Sequence, residues 1–100
     1  MGIDVACRPE AGGWVCEVTV DDGRGQTHHT VTVSHADLER LDPGAPGPRR
    51  LVRVSFDFLL EREAKEAILR EFALPVIGRY FPEYERVIAP RSAEPIGGEE

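Results

Sequence analysis

The two cysteines of the chain, Cys7 and Cys16, flank a turn-forming stretch, Arg8-Pro9-Glu10-Ala11-Gly12-Gly13, and lie in segments where apolar and polar residues alternate. Alternation places every second side chain on one face of a strand. If the segments pair as a hairpin with Cys7 opposite Cys16, then Val5 faces Val18, Ile3 faces Val20, and every inward position is apolar. A slip of one residue would turn Asp4 and Arg8 inward, which argues against it. Directly opposed β-carbons lie roughly 4.5–5.5 Å apart, within reach of a disulfide. In a reducing cytosol the expectation is instead two packed core thiols.

A third alternating segment brings His29 opposite Val18 and diagonal to Cys16, so that Cys7, Cys16 and His29 form a candidate metal or small-ligand set. The set lacks CxxC spacing and an evident fourth ligand, and diagonal neighbours stand roughly 7–8 Å apart. His28 points to the opposite face. His35 could serve as a base or ligand at a helix start, but no nucleophile is positioned beside it. Gly23-Arg24-Gly25 precedes a strand rather than a helix and lacks the further glycines or lysine of a phosphate loop. Glu61, Glu63 and Glu66 could suggest acid–base work, yet Glu61 with Lys65, Arg62 with Glu66 and Glu66 with Arg70 are spaced i, i+4, the pattern of a solvated, charge-paired helix face. No residue is assigned a catalytic role, and no cofactor is expected.

The elements that must position these groups follow from periodicity and turn chemistry. Strands are expected at about 3–8, 14–20 and 27–33, forming a three-stranded antiparallel meander whose other face, with Glu17, Thr19, His28, Thr30 and Thr32, is polar. Ser34 with Asp37 has the form of a capping box, placing a short helix at 35–41. Three prolines and two glycines between Asp42 and Pro48 prevent its continuation. Residues 51–56 alternate like a fourth strand, but Leu51, Ser55, Phe58, Leu59 and Arg62 share a helical stripe, which favours a helix at about 50–63. Further helices are expected at about 64–72, burying Ile68, Leu69 and Phe72, and at about 75–81, ended by Pro82. The fold class is therefore α+β, with one domain over 1–88 and a flexible tail over 89–100, where two prolines and few apolar residues leave little to bury.

At 100 residues the chain supports one modest core. No apolar run approaches the roughly 20 residues needed to span a bilayer, and the N-terminus MGIDVACRPE has neither a basic nor an apolar signal region, so a cytoplasmic, non-membrane protein is expected. The net charge is −6, and Arg49, Arg50 and Arg53 are the sole basic cluster, so nucleic acid is not expected as a partner. Arginine supplies all the basic residues but Lys65, a bias we associate with a GC-rich bacterial genome.

The stretch SFDFLLEREAKEAILREFALPVIGRYFPEYE, from Ser55 to Glu85, together with THHTVTV before a short helix, resembles a family of short bacterial proteins of unknown function. The resemblance implies no activity, cofactor or catalytic residue.

Trp14, Phe56, Phe58, Phe72, Tyr80, Phe81 and Tyr84 exceed what short strands and helices can cover, which leaves Tyr80, Phe81 and Tyr84 as candidates for an exposed contact patch. The function expected is a non-enzymatic protein–protein interaction or self-association module, a homodimer among the options. The alternative is a small-ligand or metal-binding protein using Cys7, Cys16 and His29.

Overall fold

The computed structural model describes residues 2–93. Three strands, β1 (Gly2–Glu10), β2 (Gly13–Asp21) and β3 (Gln26–Ser34), form the antiparallel meander, and a short β4 (Glu71–Ala73) joins parallel to β3, giving the order β1-β2-β3-β4. The expected register holds: Cys7 faces Cys16, Val5 faces Val18, and Ile3 faces Val20. Two turns enforce it. Gly12 closes the first at φ +81°, a left-handed conformation that glycine adopts without penalty. Gly13 meets a different demand, since a β-carbon there would lie 2.0 Å from the Val33 carbonyl oxygen. In the second turn the Asp21 and Asp22 carboxylates accept from the Gly23, Arg24 and Gly25 amides at 2.8–3.1 Å.

Helix α1 (His35–Leu41) starts at the expected capping box: Ser34 Oγ accepts from the Asp37 amide at 3.0 Å, and the Asp37 carboxylate accepts from the Ser34 amide at 3.3 Å. Helix α2 (Arg49–Leu60) settles the ambiguous segment as helix rather than fourth strand. Its buried residues Leu51, Val52, Ser55, Phe56, Phe58 and Leu59 follow helical spacing, whereas strand alternation would have exposed Leu51, Ser55 and Leu59. This stripe packs with Val5, Cys16, Val18, Val20, Val31 and Val33 of the sheet in one core.

The helix expected at 64–72 is corrected. The chain makes a single 3-10 turn at Lys65–Ala67, extends through Ile68, and forms β4. Its residues are good helix formers, but propensity amounts to tenths of a kcal/mol per residue, and the outer edge of β3 needs partners. The extended segment supplies them: Thr30 N–H donates to the Arg70 carbonyl at 2.7 Å, and Leu74 N–H to the Thr32 carbonyl at 2.9 Å. The expected i, i+4 ion pairs are therefore replaced. Lys65, buried, donates to Asp22 at 2.8 Å and to Glu66, pinning the 3-10 turn to the β2–β3 turn. Arg62 donates to Glu83 at 3.1 Å, and its guanidinium lies 3.7 Å from the Phe58 ring centroid.

Helix α3 (Val76–Tyr80) lies where a helix at 75–81 was expected. Helix α4 (Tyr84–Ala93) was not foreseen; it continues through 89–93, part of the expected tail, and the remainder of that tail, 94–100, lies outside the described residues. Arg40 of α1 binds Glu85 of α4 at 3.1 Å, and Ser55 of α2 binds Tyr84 at 2.6 Å. Among the described residues no helix is long and apolar enough to cross a membrane.

Candidate functional site

The residues singled out in the first three strands do not assemble into a site. Cys7 and Cys16 are joined in a disulfide, which corrects the expectation of packed thiols and leaves no thiolate for a metal. His29 is buried at 1% exposure with both ring nitrogens engaged: Nδ1 lies 2.8 Å from the Leu69 carbonyl oxygen and Nε2 2.9 Å from Thr27 Oγ1. A carbonyl can only accept, so Nδ1 carries the proton and Nε2 accepts from the Thr27 hydroxyl. The Phe56 ring packs beside the imidazole, at 5.3 Å between centroids. Burial pushes the His29 pKa below its ordinary value, against the upward pull of the Leu69 carbonyl. Among the described residues no group of three His, Cys, Asp or Glu side chains is placed to hold a metal ion. His35 packs against Trp14, 4.6 Å between ring centroids.

The aromatic trio divides. Tyr84 is fully buried, so it belongs to the core rather than to a contact patch. Its hydroxyl meets Ser55, and burial pushes its pKa up. Phe81 is half-buried, edge-on to Phe58 at 5.8 Å. Tyr80 remains 66% exposed.

Tyr80 stands on the rim of an apolar groove of about 310 Å³. Leu59 from the end of α2, Phe72 from β4, and Ile77 and Phe81 around α3 line its interior. Leu69 also lines it, 45% exposed and, with Tyr80, one of the two large hydrophobics left exposed among the described residues. Sequence periodicity placed Leu69 in the core because a helix would set Ile68, Leu69 and Phe72 on one face. In the extended chain adjacent side chains point apart, so Ile68 goes in and Leu69 goes out. His29 holds the Leu69 carbonyl at 2.8 Å and so anchors the backbone at this point.

The lining offers few polar side chains, the Glu63 carboxylate and the Tyr80 hydroxyl. It can desolvate an apolar group and orient a neighbouring donor through Glu63. No family model, curated protein or solved structure matches the chain.

Proposed function

We propose that the protein is a protein-interaction module that captures an apolar side chain of its partner in the groove that Leu69 and Tyr80 line. The observation that carries this reading is that the two exposed large hydrophobics both line one preformed apolar cleft. Such residues are normally scattered, and a patch rimmed by polar surface marks a contact site. The cleft volume suits one or two anchor side chains, and with Glu63 and the Tyr80 hydroxyl as its polar side-chain groups it has little to orient a small polar molecule. A cytoplasmic setting belongs to the same proposal; the Cys7–Cys16 disulfide is the observation against it, because cytosolic thiols are kept reduced.

The test is selection of short peptides against the full chain, followed by methyl shift mapping. Peptides with an aliphatic or aromatic anchor are expected to perturb Leu59, Ile68 and Ile77. Leu69→Asp and Tyr80→Asp should each weaken binding at least about thirtyfold, as loss of an interface hot spot does. Both side chains face solvent, so the melting temperature should barely change. Selected peptides that bind elsewhere, or equally well to both variants, would refute the reading.

A further inference from the structure

The groove lies at the β4 end of the sheet; the opposite end is β1, whose outer edge has no strand partner among the described residues. What that edge presents can be worked out from two independent features. The two-residue connection between Glu10 and Gly13 makes those residues the closing, hydrogen-bonded pair of the hairpin. Hydrogen-bonded and non-bonded pairs then alternate, so Cys7 and Cys16 form a non-bonded pair. Their Cα separation of 4.0 Å agrees, since non-bonded pairs are the closer kind. Ile3, Val5, Cys7 and Pro9 therefore direct their main-chain groups away from β2, into the open edge. Pro9 lacks its N–H at a position where β2 does not need it.

We infer that a second copy of this chain pairs antiparallel along this edge, about a twofold axis at Ala6. Hydrogen-bonding parity requires the outward-directed residues to face one another, which leaves few registers. With the axis at Ala6, Val5 meets Cys7 of the other copy and exchanges both backbone hydrogen bonds with it. Ile3 meets Pro9 and donates to its carbonyl. On the solvent face Asp4 then stands opposite Arg8 of the other copy, twice by symmetry. An axis at Cys7 would set Asp4 against Glu10, carboxylate against carboxylate, and an axis at Val5 would set Asp4 against Ala6. Asp4, Ala6 and Arg8 are exposed, and Asp4 has no ion-pair partner among the described residues. Arg8 is held only by exposed pairs, to Glu17 at 3.5 Å and Glu10 at 3.9 Å, and is free to be shared. On the inner face the contact covers half-buried Ile3 and Cys7 and exposed Pro9, beside a hollow bounded by Val5, Trp14 and Pro48. The product is one continuous sheet with a groove at each far end. This dimer does not rest on the groove being a docking site.

Sedimentation equilibrium of the full chain across a concentration series tests it. The wild type should be a reversible dimer that weakens with salt, since its specifying charges are exposed. Asp4→Arg and Arg8→Asp should each raise the dissociation constant about tenfold or more, because each turns two opposed attractive pairs into repulsive ones. Mixed together, the two variants should form a heterodimer of near wild-type affinity. The arginine introduced at position 4 of one copy would then face the aspartate introduced at position 8 of the other, and the native Asp4–Arg8 pairing would be kept across the axis. Both variants should keep the wild-type circular dichroism spectrum. A wild type that stays monomeric at every concentration would overturn the proposal, as would a dimer indifferent to either variant or a mixture that fails to associate. Peptide capture by the groove in a strictly monomeric protein would reject this dimer and leave the groove reading standing.

Discussion

The Ser55–Tyr84 contact joins α2 to the helix that the sequence did not announce, and its energy can be worked from geometry. Both residues have 0% exposure. Ser55 Oγ donates to the Leu51 carbonyl at 2.8 Å, so its proton is committed, and the Tyr84 hydroxyl must be the donor in the 2.6 Å contact between them. Tyr84→Phe removes a donor and leaves Ser55 satisfied through Leu51, a loss of about 1 kcal/mol. Ser55→Ala instead strands the Tyr84 hydroxyl in the core, which costs about 1–3 kcal/mol. That loss is partly masked by the roughly 0.5 kcal/mol alanine gains in a helix. The double variant has no stranded group, so it should be more stable than the sum of the single losses predicts, by about 1–2 kcal/mol. Urea unfolding of the four proteins closes the cycle, and the helix-propensity gain cancels within it. Losses that add within about 0.3–0.5 kcal/mol would refute the coupling. Tyr84 also has an alkaline signature. Its folded pKa is raised, so above pH 10 the unfolded chain releases a proton that the folded one retains, and stability falls as pH rises. The Phe variant should lose that component.

Three further outcomes are expected. His29 has a folded pKa below its ordinary 6.5, so as pH falls through 6.5 the unfolded chain takes up a proton first and stability declines; nitrogen-15 spectra at neutral pH should show the proton on Nδ1, and an Nε2–H tautomer would contradict the assigned bonds. The Lys65 ammonium, and after it the Arg24 and Gly25 amides that donate to the carboxylate, hold the Asp22 carboxyl down to about 2, so its contribution is present above 3.8 and is lost as pH falls toward 2; carbon-detected titration of Lys65→Met should show this pKa rising, and an unmoved value would break the assignment. The Cys7–Cys16 bridge closes a loop with a sequence separation of 9, which loop entropy values at about 2.5 kcal/mol. Cys7→Ser with Cys16→Ser should lose roughly that much in denaturant unfolding, and the native protein should resist alkylation until it is reduced; labelling of both cysteines before reduction would refute the bridge.

Local chemistry was enough to determine the meander, its register and its first helix. Alternating apolar residues, the glycines at 12 and 13, and the Ser34–Asp37 box act over a few residues, and a register slip would have buried Asp4 and Arg8. The stripe of α2 was legible for the same reason, since Leu51, Ser55 and Leu59 distinguish helix from strand within the segment itself. What followed was decided by distance. Residues 64–73 have helical composition, yet the unpaired edge of β3 and the carboxylate of Asp22, 43 positions before Lys65, drew the segment into a turn and a strand. That exchange turned Leu69 outward and thereby built the groove, which no period in the sequence encodes. The aromatic surplus was visible, but its sorting was not: Tyr84 went inward where Ser55 could accept a hydrogen bond from its hydroxyl, and Tyr80 stayed out on the last turn of α3. Propensities act locally at tenths of a kcal/mol, whereas a buried polar group left without a partner costs whole kcal/mol, so the long-range pairings prevailed wherever the two disagreed.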